Sequence, residues 1–252
     1  MQQSENEPAL SRDRYDAVLL DLDGVITDTA SVHAACWKQM FDEYLRKRAT
    51  QSGEVFQPFD SAADYRLYVD GKPRFDGVRD FLTSRGIQLP EGTPNDPPDA
   101  ETVGGLGNRK NELVNKVIEE RGVEPYEGSV KLIHQLRRRG FKIAVVTSSQ
   151  NCTMVLKAVK LDGFFDVQVD GNVIHARQLH GKPAPDTFLM AAKLLGVEPR
   201  RAIVIEDAIS GVEAGSAGNF GLVIGVARKG NAEELRRHGA QLVVNDLSEL
   251  VG

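Results

Sequence analysis

Residues 17–28 read Ala-Val-Leu-Leu-Asp-Leu-Asp-Gly-Val-Ile-Thr-Asp. Four apolar residues of strand length are followed by two carboxylates, Asp21 and Asp23, and then by Gly24. Because open α/β sheets bind ligands at the carboxyl ends of their strands, this pattern predicts a site at such an edge. Side chains two apart share one side only while the strand continues, and a turn at Gly24 can bring Asp23 beside Asp21. The simpler interpretation is a strand that ends in a solvated Asp-Gly turn.

Four more apolar runs of strand length follow along the chain. They are Lys142–Thr147, Ala202–Glu206, Leu222–Val226 and Leu242–Val244. Runs without polar alternation suit strands that are covered on both faces. Helical patterns lie between them, including one that closes at Gly140 and one at Thr187–Leu195 that closes at Gly196. This alternation predicts a doubly wound parallel sheet, a Rossmann-like α/β fold.

The interval between the first two predicted strands is far longer than the dozen or so residues that a crossover needs. It carries two apolar stripes at helical spacing, Trp37, Met40, Phe41, Tyr44 and Leu45 in one and Leu113, Val114, Val117 and Ile118 in the other. We therefore predict a helical cap domain at residues 30–124, inserted into a core domain formed by residues 1–29 and 125–252. Residues 86–107 are rich in proline and glycine, and so long a loop is usually a functional flap or disordered.

Composition and charge exclude several classes of protein. The 252 residues contain 31 Lys and Arg against 36 Asp and Glu, a net charge of −5 that argues against binding to nucleic acid. Two cysteines are too few for a disulfide framework. No signal peptide, transit peptide or membrane helix is recognisable. We expect a cytoplasmic monomer that binds neither nucleic acid nor a membrane.

A second pair of acids, Glu206 and Asp207, ends another predicted strand. If both acid pairs meet at one edge, four carboxylates would repel one another and raise their pKa values unless a cation neutralised them. A site made only of oxygen ligands suits magnesium. The alternative is that Asp207 simply caps the helix that follows.

Two further segments could bind an anion. Thr147, Ser148 and Ser149 follow a strand and precede a predicted helix, where hydroxyls and free amides make an anion site; an ordinary helix cap is the alternative. In residues 181–186, Gly-Lys-Pro-Ala-Pro-Asp, two prolines stiffen a loop that holds one lysine, Lys182. A surface turn with a solvated lysine is the alternative there.

In order and spacing, these four signals together resemble the haloacid dehalogenase superfamily. The resemblance covers about residues 15–29 and 124–252, and it implies that Asp21 is a phosphoryl-accepting nucleophile and Asp23 a general acid and base. It also implies two sets of binding residues: Thr147, Ser148 and Lys182 for phosphate, and Asp21, Asp23, Glu206 and Asp207 for magnesium. True dehalogenases of the superfamily lack the second acid, so Asp23 favours phosphate chemistry.

The implied chemistry is coherent. A carboxylate can approach a phosphate dianion only if charge is cancelled, and magnesium with Lys182 supplies three positive charges. An aspartyl-phosphate on Asp21 divides one difficult displacement into two easier ones. A protonated Asp23 can then protonate the leaving oxygen and later deprotonate the acceptor.

Within the superfamily, residues 21–30, with His33 and Trp37 after them, resemble the opening of the β-phosphoglucomutases, and residues 108–111 resemble a second segment of their cap. The resemblance implies a set of cap and substrate residues that close the cap, position Asp23 and meet the sugar: Thr29, His33, Trp37, Lys110 and Asn111. The alternative is ordinary, since His33 and Trp37 could be core of a cap helix and Lys110 a solvated charge.

The chain also departs from those enzymes. The insert is longer, with the extra length in residues 53–73 and 86–107, and Gln150 stands where they carry a lysine that contacts phosphate. Their cap arginine for the distal phosphate is best matched by Arg79, with Arg74 in reserve. We therefore expect a magnesium-dependent mutase that interconverts β-glucose 1-phosphate and glucose 6-phosphate through β-glucose 1,6-bisphosphate. A sugar-phosphate phosphatase is the alternative, and a catalytically silent binding protein is the remote one.

Overall fold

The structure is a computed structural model that describes residues 10–228 and 230–252. The interpretation of residues 1–9 as neither signal nor transit peptide lies outside those residues. The chain forms two compact units: a core unit, made of the chain up to Asp28 and from Glu124 onward, and an inserted unit, Thr29–Val123. Among the described residues, no helix combines the length and the apolar content that a membrane crossing requires.

The described part of the core unit is built on a six-stranded sheet in which every neighbouring pair is parallel. Its strands are β1 (Ala17–Leu20), β2 (Lys142–Val146), β3 (Val167–Val169), β4 (Ala202–Glu206), β5 (Leu222–Val226) and β6 (Leu242–Val244). They lie in the order β3-β2-β1-β4-β5-β6, so β1 is central, between β2 and β4. The predicted doubly wound parallel sheet is confirmed.

The central strand is buried on both faces, as an apolar run without alternation predicts. All four residues of β1 are fully buried, and Leu19 lies level with Ala144 of β2 and Val204 of β4. The five predicted runs are all strands. Sequence patterns missed β3, because the polar Gln168 in the middle of its three residues interrupts the apolar run, whereas the three residues of β6 are all apolar.

Helices connect the strands of the core unit. Their bounds are α4 (Glu127–Arg138), α5 (Cys152–Ala158), α6 (Gly171–Arg177), α7 (Asp186–Leu195), α8 (Ile209–Ala217) and α9 (Ala232–Arg237), with short 3-10 helices at Pro199–Arg201 and Leu247–Leu250. The two predicted helices correspond to α4 and α7, and α7 ends at Gly196 in the left-handed conformation, as its sequence predicts. Helices α7, α8 and α9 pack Phe188, Val212 and Leu235 into one cluster with the sheet.

The inserted unit is helical. It contains α1 (Ala30–Ser52), a π-helix at Tyr65–Val69, α2 (Arg74–Ser84) and α3 (Val103–Arg121). Its core is aromatic: the Phe41 ring stacks on Trp37 at 5.2 Å between centroids and meets Phe81 at 4.2 Å. The apolar stripe predicted from Trp37 to Leu45 is buried on α1, because its spacing places those side chains on one face.

The predicted loop at residues 86–107 is shorter than expected, because its last glycines already belong to α3. The loop packs against the start of that helix, where the Asp96 carboxylate accepts hydrogen bonds from Thr93 and Thr102. A Cβ at Gly104 would lie 2.2 Å from the Thr93 carbonyl oxygen, and one at Gly105 2.3 Å from a carbonyl oxygen of the loop. Glycine at these two positions therefore allows the loop backbone to approach α3 closely. The sequence pattern did not indicate this approach.

Candidate active site

Three carboxylates meet at the carboxyl edge of the sheet, where β1 lies beside β4. Asp21 directly follows β1, Glu206 ends β4, and Asp207 comes next. The Asp21 amide still donates to the Ile205 carbonyl at 3.0 Å, so the parallel pairing brings Asp21 level with the end of β4. One oxygen of each carboxylate lies within 4.8 Å of the others, and all three residues are buried. The sequence predicted that the acids at the ends of two strands would meet at one edge of the sheet, and Asp21 meets Glu206 and Asp207 there.

Lys182 provides a positive charge within this cluster. It lies in the loop before α7 and is only 2% exposed. Its Nζ donates to Asp21 Oδ1 at 2.5 Å, to Glu206 Oε1 at 2.6 Å and to the Val146 carbonyl at 3.1 Å. These three acceptors engage all three ammonium protons, so the side chain has one defined position. The solvated surface lysine considered above is therefore excluded.

The buried charges shift one another's pKa values. Burial raises the pKa of Asp21 well above its usual range; attraction to Lys182 opposes this rise, and repulsion from the neighbouring carboxylates adds to it. Burial alone would lower the pKa of Lys182, but Asp21 and Glu206 raise it above its usual range. One ammonium thus faces several carboxylates in a low-dielectric site. A divalent cation with oxygen ligands would balance this charge, and Asp21, Glu206 and Asp207 fit magnesium in type and spacing.

The carboxylate of Asp23 is not part of the three-carboxylate cluster. Thr147 Oγ1 donates to its Oδ2 at 3.3 Å. The turn that carries it depends on Gly24, whose φ of 92° lies in the left-handed region. A Cβ on Gly24 would also lie 2.1 Å from Asp207 Oδ2. The predicted turn is present, and it places Asp23 within hydrogen-bond distance of Thr147, the residue that follows β2.

The hydroxyls after β2 brace their own loop. Thr147 is buried, and its Oγ1 accepts a hydrogen bond from the Ser149 amide at 3.1 Å. The Ser149 hydroxyl accepts one from the Asn151 amide at 3.1 Å, and Ser148 lies between them, half-buried. The side chain of Asn151, the N-cap residue of α5, makes no capping hydrogen bond, and the hydroxyls of Thr147 and Ser149 accept from amides before the helix.

Two residues at the carboxyl ends of the strands were not indicated by the sequence: one lies beneath Glu206, and the other caps α6. A Cβ on Gly211 of α8 would lie 1.8 Å from Glu206 Oε1, so a glycine is required beneath that carboxylate. Asp170, directly after β3, is buried and accepts hydrogen bonds from the Asn172 and Val173 amides. The signal for Asp170 exists in residues 167–171, Val-Gln-Val-Asp-Gly, which repeat the strand-Asp-Gly pattern of β1 in a weaker form.

In the inserted unit, three of the predicted cap residues contact one another. Lys110 is 5% exposed, its Nζ lies 2.9 Å from His33 Nδ1, and it lies over the Trp37 ring at 4.9 Å. Lys110 is therefore not a solvated charge. Thr29 is buried, and its carbonyl accepts the His33 amide at the start of α1, while Asn111 follows Lys110 on α3.

The two candidate arginines of the inserted unit have different surroundings. Arg79 Nη1 contacts Asp76 Oδ1 at 2.7 Å, and its Nε and Nη2 contact the two Glu91 oxygens at 2.9 and 2.8 Å. The hydrogen bond to Glu91 is the main cause that raises the pKa of Arg79. Arg74 donates to Asn108 Oδ1 at 2.8 Å, and burial lowers its pKa.

The sequence profile of one family, described as haloacid dehalogenase-like hydrolase, matches residues 15–219. The chain belongs to the haloacid dehalogenase-like hydrolase family. It is therefore an enzyme of that family, as the four motifs and their spacing predicted. The family match spans both units, and the Asp21, Lys182 and Asp207 geometry described above lies within it.

Relatives within the haloacid dehalogenase-like family carry a more specific name. The chain is 54% identical over 238 residues to a β-phosphoglucomutase of Mycobacterium tuberculosis (strain CDC 1551 / Oshkosh), covering 93% of this chain and 91% of that protein. It is 30% identical to the β-phosphoglucomutase of Bacillus subtilis (strain 168), covering 93% and 91%. A crystal structure of β-phosphoglucomutase from Clostridium difficile superposes with a TM-score of 0.74 at 27% identity, covering 94% and 93%.

Proposed function

We propose that this enzyme is a magnesium-dependent β-phosphoglucomutase. It would interconvert β-glucose 1-phosphate and glucose 6-phosphate through an aspartyl-phosphate and β-glucose 1,6-bisphosphate. The observation that carries the proposal is the 54% identity over 93% of the chain with a protein of that name. The geometry at the carboxyl edge of the sheet supports it, because that edge holds the groups that phosphoryl transfer requires.

Asp21 is the proposed nucleophile. Its Oδ1 is fixed by Lys182 at 2.5 Å, so the carboxylate is oriented before substrate arrives. Lys182 also offers its positive charge to a phosphoryl group that approaches Asp21. Magnesium, when held by Asp21, Glu206 and Asp207, supplies the further positive charge that lets a carboxylate attack a phosphate dianion. The new bond joins a carboxylate oxygen of Asp21 to phosphorus, and the bond from phosphorus to the sugar oxygen breaks.

Asp23 is the proposed general acid and base. It is less buried than Asp21, and it follows the nucleophile by two residues, so it can reach the oxygen that leaves phosphorus. In its protonated form it gives that oxygen a proton, and in the return step it takes the proton from the attacking hydroxyl. The Thr147 hydroxyl, which donates to Asp23 Oδ2, orients the carboxylate for both steps.

The inserted unit decides between a mutase and a phosphatase. A mutase must let a sugar hydroxyl, rather than water, attack the phosphorylated Asp21. The buried pair of Lys110 and His33 would contribute to binding the sugar phosphate, with Thr29, Trp37 and Asn111 beside it. A sugar-phosphate phosphatase with the same nucleophile is the alternative outcome. The expected monomeric state and cytoplasmic location stay predictions.

We propose Arg74, rather than Arg79, as the arginine that binds the distal phosphate. Arg79 already faces two carboxylates, Asp76 and Glu91, and a phosphate would have to displace or neighbour both. The guanidinium of Arg74 is desolvated and donates to Asn108, and a desolvated guanidinium offers a charge-assisted, bidentate contact to an anion.

One assay tests the function. Purified protein with magnesium is given β-glucose 1-phosphate, with and without β-glucose 1,6-bisphosphate, and both glucose 6-phosphate and free phosphate are measured. A mutase forms glucose 6-phosphate in excess over phosphate and is primed by the bisphosphate. Stoichiometric release of phosphate would establish the phosphatase instead, and no turnover of any sugar phosphate would contradict both.

Arg74→Ala and Arg79→Ala form a matched pair for the second phosphate. A charge-assisted hydrogen bond contributes about 1.5–3 kcal/mol, and each 1.4 kcal/mol is a factor of ten, so the Arg74 variant should lose about tenfold to a hundredfold in mutase turnover. The Arg79 variant should lose much less. Hydrolysis of a small phosphate ester without a second anchor should not change in either. A larger loss for Arg79 would restore it as the phosphate ligand.

A further inference from the structure

We propose that Arg228 is a positioning residue that sets the place of Asp23 by fixing the turn that carries it. Arg228 lies two residues beyond the end of β5, at the same carboxyl edge of the sheet as Asp21. Its Nε donates to the Gly24 carbonyl at 3.3 Å, and its Nη2 donates to Ser129 Oγ at 3.4 Å. Gly24 is the next residue after Asp23, so this contact bears directly on the proposed acid and base.

The whole turn is held through its carbonyl oxygens. Besides the Gly24 carbonyl bound by Arg228, the Val25 carbonyl accepts the Ser129 hydroxyl at 2.6 Å, and the Ile26 carbonyl accepts the Tyr126 amide at 3.0 Å. Three successive carbonyls are therefore bound by residues far away in the sequence. Arg228 alone among these donors brings a positive charge, and charged donors make the stronger hydrogen bonds.

Arg228 is itself held in place. Its Nη1 forms an ion pair with Asp246, and its guanidinium stacks on the Tyr126 ring, 3.7 Å from the centroid. The Arg228 side chain is only 16% exposed. Tyr126 fixes the face of the planar guanidinium, and Asp246 fixes one of its edges. The remaining N–H donors therefore point in one direction, toward Gly24 and Ser129. A surface ion pair would need none of these additional contacts.

The position of Gly24 matters because this residue is packed on the opposite side as well. A Cβ there would lie 2.1 Å from Asp207 Oδ2, so the turn rests against a carboxylate of the proposed magnesium cluster. Fixing Gly24 therefore fixes the position of the preceding residue, Asp23, and also the distance between the turn and Asp207. Loss of the Arg228 contact would let the turn shift, and a misplacement of about 1 Å at a catalytic group can cost roughly a hundredfold in rate.

This inference rests on the proposed role of Asp23, and the experiment separates the two. Arg228→Met keeps an extended side chain against Tyr126 but removes the guanidinium. The first arm gives the protein acetyl phosphate and follows phosphorylation of Asp21, in which phosphorus bonds to Asp21 and acetate leaves without needing a proton. The second arm follows hydrolysis of the phosphorylated protein, in which a water oxygen bonds to phosphorus, the bond from phosphorus to Asp21 breaks, Asp23 takes a proton from the water, and inorganic phosphate leaves. Neither arm requires a sugar substrate.

We expect Arg228→Met to phosphorylate at close to the wild-type rate, within about threefold, and to hydrolyse the phosphoprotein at least about tenfold more slowly. With β-glucose 1-phosphate, kcat should fall while KM stays close to wild type. Guanidinium ion at millimolar concentration should restore part of the lost rate, whereas sodium at equal ionic strength should not. Arg201→Met, which removes another arginine paired to an aspartate of the core unit, Asp16, should leave both rates unchanged.

Three results would overturn the proposal: an unchanged hydrolysis rate, equal losses in both arms, or a rise in KM with kcat unchanged. Equal losses would show that Arg228 supports the fold of the whole site. If the methionine variant does not fold, Arg228→Lys is measured in its place, because lysine can keep the pair with Asp246 but lacks the fork that reaches Gly24. If wild type is phosphorylated but forms no glucose 6-phosphate, the mutase proposal fails while the Arg228 comparison still stands.

Discussion

Gly211→Ala should destabilise this enzyme, although alanine normally stabilises a helix relative to glycine. Gly211 lies in α8, directly beneath the carboxylate of Glu206. A Cβ there would lie 1.8 Å from Oε1 and 1.9 Å from Cδ of Glu206. The carboxylate cannot turn away freely, since Oε1 accepts from Lys182 at 2.6 Å and Oε2 accepts from the Asp207 and Ala208 amides at 3.0 and 3.1 Å.

The magnitude follows from what must give way. If the carboxylate stays, overpacking costs about 1–3 kcal/mol; if it moves, a charged hydrogen bond worth about 1.5–3 kcal/mol is lost. Alanine returns about 0.5–1 kcal/mol through its helix propensity. The net loss is about 0–2.5 kcal/mol by the first route and about 0.5–2.5 kcal/mol by the second, so at roughly 2–4 °C per kcal/mol Tm falls by up to about 10 °C. Turnover should fall too, because Lys182 pairs with both Glu206 and Asp21, so a shift of the Glu206 carboxylate also disturbs the lysine that orients Asp21.

Thermal unfolding by circular dichroism, with chelator and with magnesium, tests this prediction alongside turnover. Gly163→Ala is the matched control, because a Cβ there meets nothing within 4 Å and the backbone is not left-handed. That control should be neutral or slightly stabilising, through the smaller entropy of the unfolded chain. A Gly211→Ala variant with wild-type Tm or higher and full turnover would show that the close approach to Glu206 is not required.

Three other predictions follow from the same site. Asp21→Asn should abolish turnover without unfolding the protein, because an amide cannot form the acyl phosphate; near-wild-type activity would refute covalent catalysis. Turnover should stop in chelator and return with magnesium but not with calcium, whose larger size and irregular coordination let it bind a carboxylate through both oxygens; calcium-supported turnover would count against this site. Burial opposes ionisation of Asp246, but hydrogen bonds from Arg228 and Ser248 lower its pKa to about 2. Its ionised form therefore stabilises the fold above the ordinary pKa of 3.8 and loses that effect as pH falls toward 2. The Tm difference between wild type and Asp246→Asn should shrink over that range, and a constant difference would contradict the shift.

Much of the core could be predicted because it is written in local patterns. An unbroken apolar run such as Ala17–Leu20 can be buried on both faces only as an inner strand, and acids at its end must then lie at the sheet edge. The exception among the strands is β3, in which the polar Gln168 interrupts the apolar run, and Asp170 was therefore not recognised as the residue that ends a strand. Gly104 and Gly105 were predicted to lie in a loop, because the neighbouring residues in the sequence do not show that another backbone segment approaches these two glycines.

Local sequence patterns indicate which residues end strands, which turn needs Gly24, and which residue types gather around phosphate. Which of those residues meet depends on how the chain folds. Lys182 reaches Asp21 across 161 positions of the chain, and Arg228 reaches Gly24 across 204. Likewise the sequence offers Arg79 as a phosphate ligand, and only the fold shows that Glu91, twelve positions away, lies against its guanidinium. The reason is physical: strand order and loop packing bring distant charges together, and a local pattern carries no information about a charge that arrives from elsewhere.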